Sequence, residues 1–214
     1  MRLSSPSAKI AYQKSGSSSH FFCIVPHLPV GRETGMSVCV VSFSSRKNGN
    51  CAKISEFVCK QLGDVSRYAF SDFEIHPCGD CEYECFADAR RCPWIHDREY
   101  ELLDAITRSE LTYFILPNYC GYPCANFFIF NERSLCYFQN HAELLDAYER
   151  VPKKAIVVSN TDVENISVAL AYHGLEAPQI LFLSAKRYGK SSIGGDLLTS
   201  PQAAADLKQF MMTI

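Results

Sequence analysis

Apolar residues follow two alternating patterns from residue 36 to the end of the chain. Short runs rich in β-branched and aromatic residues predict buried strands, because a strand covered on both faces carries apolar side chains on both. Between these runs, apolar residues recur every three or four positions, which predicts amphipathic helices. The strong strands are predicted at residues 37–43, 111–116, 155–159 and 180–184, with a weaker one at 67–73.

The predicted helices occupy the intervals between the strands. Asp97 can cap the helix around Leu102 and Ile106, since an Asp oxygen accepts a hydrogen bond from a free N–H group there. Pro201 stands where the last helix begins, a position at which the missing N–H of proline costs nothing. The helical spacing covers residues 54–62, 97–106, 125–133, 163–174 and 201–211.

This alternation defines the fold class. Five apolar strands separated by helices imply a parallel α/β sheet covered on both faces, and right-handed crossovers make it doubly wound. Such sheets bind ligands beside the carboxyl ends of their strands, near the point where the strand order reverses. The loops that follow residues 43, 116 and 159 are therefore the candidate binding loops.

The first 35 residues differ from the rest of the chain. They contain Ser-Gly-Ser-Ser-Ser at 15–19 and scattered prolines, without a sustained apolar period. We expect residues 1–35 to form a disordered extension and residues 36–214 to form one domain. A mis-assigned start upstream of Met36 and a structured N-terminal arm are the alternatives.

Composition narrows the class of protein. The chain has 214 residues, of which 47% are hydrophobic and 21% charged, with a formal net charge of -2. These values are typical of a globular protein without a basic surface for nucleic acid. No apolar run approaches the roughly 20 residues of a membrane span. We therefore expect neither a nucleic-acid partner nor a membrane partner.

Cysteine is the outlier in the composition, with 11 residues. The number is odd, and the polar residues 1–19 lack the apolar centre of a signal peptide. A secreted disulfide framework is thus disfavoured. We expect a cytoplasmic protein with reduced thiols, a subset of which is available to a metal or cluster.

The loop after the first strand has the chemistry of a phosphate site. Residues 44–51 read SSRKNGNC and end at a predicted helix N-terminus, where free N–H groups and the helix dipole favour an anion. The loop lacks the motif of a nucleotide P-loop and the three glycines of a dinucleotide site. It predicts a cradle for one phosphate monoester, and a polar turn with an Asn cap is the alternative.

The loop after residues 111–116 has the chemistry of a ring-binding site. Positions 117–123 combine two tyrosines, two prolines and a glycine. Aromatic faces and exposed backbone groups suit a flat heteroaromatic ligand, which stacks on the former and hydrogen-bonds the latter. A proline-bounded loop whose tyrosines pack on the next helix is the alternative.

Both loops resemble those of the NAD(P)H-dependent FMN reductase family, in particular its iron–sulfur flavoprotein branch. Residues 43–51 (FSSRKNGNC) are similar to the family's GSPRKNGNT, and residues 117–133 (PNYCGYPCANFFIFNER) match the family's PVYFGSMPAQLKAFIDR in length. The resemblance extends from Met36 to the C-terminus. It implies a flavodoxin-like three-layer sandwich whose five parallel strands have the order 2-1-3-4-5.

The resemblance also implies FMN as the cofactor. Around its phosphate it places Ser44, Arg46, Asn48, Gly49, Asn50 and Cys51. Along the isoalloxazine it places Pro117, Asn118, Tyr119, Cys120 and Gly121, with Asn160 near the ring. Residues 188–196 resemble the family's C-terminal loop, which we interpret as a surface connection. The chain departs from the family at several of these positions, which points to a reduced FMN affinity; they are Phe43, Ser45, Cys51, Asn118, Cys120 and Asn160.

A second motif, Cys78-x2-Cys81-x3-Cys85-x6-Cys92, lies in a cysteine-rich insert at residues 76–97. Four thiolates at this density suit a [4Fe–4S] cluster or a tetrahedral zinc ion. The resemblance favours the cluster, although the last two gaps are each one residue shorter in the family. Reduced or redox-active thiols and structural zinc are the alternatives.

The function implied by the resemblance is electron transfer through FMN, from NAD(P)H or a reduced carrier protein to an acceptor, with the cluster as a possible relay. No acid–base residue is required, because the cofactor carries the chemistry. The alternatives are a flavodoxin-like electron carrier without its own substrate and a non-catalytic metal- or partner-binding module that has lost flavin. Relatives of this kind commonly dimerise, so we expect a homodimer or higher homo-oligomer.

Overall fold

The computed structural model describes residues 36–79, 81–139, 141–160, 166–171 and 173–213. The predicted disordered extension, residues 1–35, lies outside them. Within the described part of the chain, strands and helices alternate as the apolar pattern predicts.

Parallel strands form the central sheet. The strands are β1 (Val38–Ser42), β2 (Val65–Ala69), β3 (Leu111–Tyr119), β4 (Tyr122–Pro123), β5 (Lys153–Ser159) and β6 (Ile180–Ser184). Their spatial order is β2-β1-β3-β5-β6, with the short β4 paired antiparallel to the end of β3. When β4 is set aside, the five parallel strands have the order 2-1-3-4-5, so the predicted doubly wound sheet is confirmed.

Helices cover both faces of the sheet. They are α1 (Asn50–Leu62), α2 (Glu99–Thr107), α3 (Ala125–Phe138), α4 (Ala142–Arg150), α5 (Ile166–Ala171) and α6 (Pro201–Met212). Ile54 of α1 and Leu207 of α6 share the core cluster on one face. Leu102 of α2, Phe127 of α3 and Tyr148 of α4 share the cluster on the other face.

The central strands contribute side chains to both cores. On β3, Phe114 and Leu116 belong to one cluster, while Tyr113 and Ile115 belong to the other. All residues of β5 are buried as well. Burial on both faces explains why these strands are continuous apolar runs instead of alternating ones.

Some helices differ from the predicted set in their presence or in the residue at which they begin. Helix α4 is absent from the predicted set, although Leu144 and Tyr148 lie at helical spacing and pack on the same core cluster. Helix α2 begins at Glu99, whose N–H donates to Asp97 Oδ1 at 3.2 Å, close to the predicted cap. None of the helices that the structure describes is long and apolar enough to cross a membrane.

Candidate functional site

A cavity of about 290 Å³ lies at the carboxyl ends of β1, β3 and β5. Its walls come from four segments that are distant in sequence, and its position is the one expected at the switch point of a doubly wound sheet. Most predicted cofactor residues line it, namely Ser44, Arg46, Gly49, Asn50, Cys51, Pro117, Asn118, Tyr119, Cys120 and Asn160. Asn48 and Gly121 belong to the same loops without lining it, and Val158, Ser192 and Ile193 complete the wall.

The N-terminus of α1 forms one end of this cavity and favours an anion there. Gly49 is the N-cap and has no side chain to accept a hydrogen bond, and the first turn contains no acidic residue. The N–H groups at the start of α1 therefore have no capping side chain, and the helix dipole adds partial positive charge. Gly49, Asn50 and Cys51 line the cavity at this end, which suits a phosphate group.

Cys51 keeps this end of the cavity free of negative charge. Burial raises the pKa of the Cys51 thiol far above its ordinary value, and the nearby Cys124 thiol raises it further. The side chain is therefore a neutral thiol at physiological pH. The departure from threonine at this position thus exchanges a strong hydrogen-bond donor for a weak one without introducing charge repulsion.

The side-chain amide of Asn50 holds another loop. Its Nδ2 donates to the carbonyl of Ser191 at 2.8 Å, and its Oδ1 accepts from the N–H of Leu197 at 2.9 Å. Asn50 is buried, and these two bonds tie the segment between β6 and α6 to the start of α1. The group of Asn50 that is available to a ligand is therefore its backbone N–H, in the first turn of the helix.

Gly195 brings the same two segments into close contact. Its φ of +72° is in the left-handed region, and a Cβ there would lie 2.2 Å from the carbonyl oxygen of Asn48. Only glycine fits this approach. The loop at residues 188–196 is thus packed on residues 44–51, the predicted phosphate loop, and its Ser192 and Ile193 line the cavity. The Gly194-Gly195 pair is the sequence signal for this role, and the interpretation as a surface connection missed it.

The opposite wall is a tight hairpin. Tyr119 of β3 pairs with Tyr122 of β4, and the connecting residues Cys120 and Gly121 have φ values of 55° and 88°. Two consecutive positive φ values are typical of a type I′ turn, in which a non-glycine residue such as Cys120 is strained. Asn118 Oδ1 accepts from the N–H of Gly121 at 2.9 Å and stabilises the turn.

Both hairpin tyrosines remain accessible. The exposed fraction is 51% for Tyr119 and 65% for Tyr122. These values argue against the alternative in which the tyrosines are packed on the next helix. Tyr119 lines the cavity, so an aromatic side chain is available at its rim.

Phe43, which directly precedes the loop at residues 44–51, anchors the start of that loop in the core. Its ring is fully buried, and its centroid lies 5.1 to 5.5 Å from those of four phenylalanines. Its carbonyl accepts from Asn126 Nδ2 at 2.7 Å, and the same amide donates to Ser45 Oγ at 2.9 Å. The aromatic residue that replaces the family's glycine thus belongs to the core, and α3 fixes the loop above it.

The predicted metal ligands lie together in the insert, although not as a metal site. Burial raises the pKa of Cys85, and the neighbouring thiols of Cys92, Cys81 and Cys78 raise it further. Among the described residues, no group of three or more Cys, His, Asp or Glu side chains is placed to hold a metal ion. The structure therefore gives no support to the [4Fe–4S] cluster, and we derive no step through one.

A buried arginine fastens this insert to α3. Arg133 is 1% exposed, and its Nη1 donates to Asp97 Oδ2 and to the His76 carbonyl, both at 2.7 Å. Its Nη2 donates to Tyr137 Oη at 3.1 Å and contacts Cys92 Sγ at 3.8 Å. Nothing in the sequence pattern distinguished Arg133 from an exposed helical arginine. Its role is to hold both ends of the insert.

Comparison with known proteins supports the architecture. No family model matches the sequence, and no curated protein matches it. The Trp repressor binding protein from Bacillus subtilis has a TM-score of 0.55 at 13% identity, with 83% of this chain and 99% of that chain covered. An azoreductase, AzrA, has a TM-score of 0.51 at 10% identity, with coverages of 81% and 96%.

A third similar structure is that of RosB with bound 8-demethyl-8-formylriboflavin-5'-phosphate. It has a TM-score of 0.51 at 10% identity, with 84% of this chain and 81% of that chain covered. At these identities the likeness concerns the fold. Together with the observed strand order, it shows that this chain has a flavodoxin-like α/β fold.

Proposed function

We propose that this chain is an FMN-dependent oxidoreductase that takes electrons from NAD(P)H or a reduced carrier protein. The observation that carries the proposal is the meeting of an uncapped helix N-terminus and a tyrosine-bearing hairpin around one cavity. The helix end suits a phosphate, and the hairpin suits a flat ring. The riboflavin phosphate derivative in RosB and the name of the azoreductase support the same proposal.

The phosphate loop would bind the phosphate of FMN through backbone and side chain. The N–H groups at the start of α1 donate, and the Arg46 guanidinium supplies the positive charge that makes such bonds strong. Ser44 Oγ already accepts from the N–H of Arg46 at 3.2 Å, which shapes the turn. Asn48 would contribute indirectly, because its carbonyl lies against Gly195 and this contact fixes the position of the loop.

The hairpin and the end of β5 would orient the ring. Pro117, Asn118, Tyr119 and Cys120 line one wall, Gly121 closes the turn behind them, and Asn160 lies at the end of the neighbouring strand. When bound, FMN supplies the redox chemistry. The chain then has to bind it, orient it and limit the access of water, and no acid or base from the protein is required for hydride transfer.

Two further expectations stay predictions. Iron and sulfide analysis on protein purified without oxygen tests whether Cys78, Cys81, Cys85 and Cys92 hold a cluster. Light scattering tests the homodimer, for which the exposed Tyr122 and Phe128 offer apolar surface.

A size-matched pair of variants that differ in charge tests the phosphate cradle. Gly49→Asp places a carboxylate at the N-cap, where it binds the free N–H groups and repels an anion. Gly49→Asn has nearly the same size and meets the same Arg46 Cβ, 3.1 Å from the new Cβ, without the charge. We expect the Asp variant to bind FMN at least about tenfold more weakly than the Asn variant, a difference of about 1.4 kcal/mol.

Riboflavin, which lacks the phosphate, is the matched ligand. The two variants are expected to bind it equally, as measured by quenching of flavin fluorescence. Equal FMN affinities would contradict the proposed cradle. FMN uptake without NAD(P)H oxidation would favour the electron carrier, and a chain that takes up no FMN would leave the flavin-free module.

A further inference from the structure

A fifth cysteine lies beside the cysteine-rich insert. Cys136, near the end of α3, has its Sγ 3.4 Å from Cys78 Sγ. The two residues are 58 positions apart, and the sequence motif gave no reason to join them. Among the cysteines that the structure describes, no other pair makes a sulfur–sulfur contact of this kind.

Two hydrogen bonds hold the backbone around Cys78 beside α3. The N–H of Cys78 donates to Glu132 Oε2 at 3.2 Å, so α3 binds the backbone of this cysteine directly. Two residues earlier, the carbonyl of His76 accepts from Arg133 Nη1 at 2.7 Å. Glu132 and Arg133 lie about one helical turn before Cys136 on α3. Their hydrogen bonds to the backbone of residues 76 and 78 therefore hold Cys78 close to Cys136.

We propose that Cys78 and Cys136 form a reversible disulfide, which makes them a modification site for small disulfides such as oxidised glutathione. The present sulfur–sulfur distance of 3.4 Å is about 1.3 Å longer than a disulfide bond of roughly 2.05 Å. Both side chains are partly exposed, so a small reagent can reach them. The proposal does not depend on FMN.

The exchange proceeds in two steps, and both partly exposed cysteines are accessible for the first one. When Cys78 reacts first, two glutathione thiols are released in turn. The Cys78 thiolate bonds to one glutathione sulfur, the glutathione disulfide breaks, and one glutathione leaves with the proton of Cys78. Cys136 then displaces the second glutathione, which takes the proton of Cys136. The two protein thiols lose two electrons, and one glutathione disulfide becomes two thiols.

The pair also changes the interpretation of the four-cysteine motif. Cys92 is buried and contacts Arg133, while Cys78 is paired with a residue outside the motif. The first and last cysteines of the motif, Cys78 and Cys92, thus both contact side chains of α3. A dithiol that links the insert to this helix accounts for the observed contacts without a metal.

Peptide mapping of the full chain tests the proposal. Reduced protein is equilibrated with oxidised glutathione, the remaining thiols are alkylated, and the digest is analysed before and after dithiothreitol. We expect the loss of two free thiols per chain, a peptide that links Cys78 to Cys136, and full recovery on reduction. Cys136→Ser is expected to retain one glutathione on Cys78, because it lacks the thiol that is in contact with Cys78.

Cys59→Ser is the matched control, since Cys59 is partly exposed on α1, away from the insert. It should give the same linked peptide as the unmodified sequence. The proposal fails if both cysteines stay alkylatable, if Cys78 is linked to another cysteine of the insert, or if the reduced protein holds stoichiometric iron or zinc on these thiols. Mapping of the natural sequence decides these outcomes even where a variant does not fold.

Discussion

The cavity at the end of the sheet is built around an uncapped helix end and two glycines, whereas the cysteine-rich insert is fastened by a buried ion pair. At the cavity, Gly49 leaves a helix end uncapped and Gly195 lets two loops touch. In the insert, Arg133 and Asp97 face each other with side chains 1% and 5% exposed. One region leaves the N–H groups of a helix end available for a ligand, and the other pairs its buried charges with each other. That difference separates a candidate binding site from a structural one.

The largest effect is expected from breaking the ion pair of the insert. Arg133→Met leaves the buried carboxylate of Asp97 without its charge partner, so we expect the free energy of unfolding to fall by about 3–5 kcal/mol. Urea denaturation measures it. Arg108→Ala is the control, because its ion pair with Asp104 is exposed and is expected to contribute at most about 1 kcal/mol. Equal losses in the two variants would contradict the structural role of Arg133.

The next effect sharpens the role of the cavity loops. Gly195→Ala forces a Cβ to within 2.2 Å of the Asn48 carbonyl, whereas Gly189→Ala has a similar φ and nothing within 4 Å of its Cβ. Both variants are expected to lose roughly 1–2 kcal/mol for the left-handed backbone. Only the first should also displace the phosphate loop and weaken FMN binding, by about tenfold or more. Isothermal titration of FMN distinguishes them, and identical affinities would refute the contact.

The smallest effect concerns a buried acid behind the insert. Burial raises the pKa of Glu99 well above its ordinary value of 4.5, although Ser134 and Arg133 act in the opposite direction. The folded chain therefore keeps a proton that the unfolded chain loses, so this contribution to stability falls as the pH rises above 4.5. Glu99→Gln should remove that fall. The stability difference between this variant and the natural sequence, measured against pH, tests the prediction.

Glu101→Gln is the control for the same pH series. The hydrogen bond from Arg98 lowers the pKa of Glu101, so its contribution is present at neutral pH and is lost as the pH falls. The two variants should thus show pH dependences of opposite sign. A shared sign would mean that Glu99 is ionised in the folded chain.

Most of the fold could be predicted because the central strands are buried on both faces. The run at 111–116 has one local interpretation, and β3 contains it. Helix α4 was missed although Leu144, Leu145 and Tyr148 recur at helical spacing, because the helix is only nine residues long and follows α3 without an intervening strand. The limits of β3 depend on its pairing with β4, which is set by the turn at Cys120 and Gly121 and not by hydrophobicity.

The candidate site could be predicted in its loops but not in its internal contacts. The polar composition of residues 44–51 pointed to the cavity, while the amide of Asn50 is used to bind a loop that arrives 141 residues later. The partners of Cys78 and Arg133 are likewise distant in sequence. Contacts of this kind give no signal in local spacing, because they form only when segments that are distant in sequence pack together.

The contact between Gly195 and Asn48 has a consequence for the order in which the protein is made. Asn50 is synthesised 141 positions before Ser191, and Gly195 and Leu197, which also brace the loop at residues 44–51, follow later still. A nascent chain therefore exposes this loop unbraced until residues 191–197 have emerged. Any ligand that needs the closed cavity can be captured only after that point in translation.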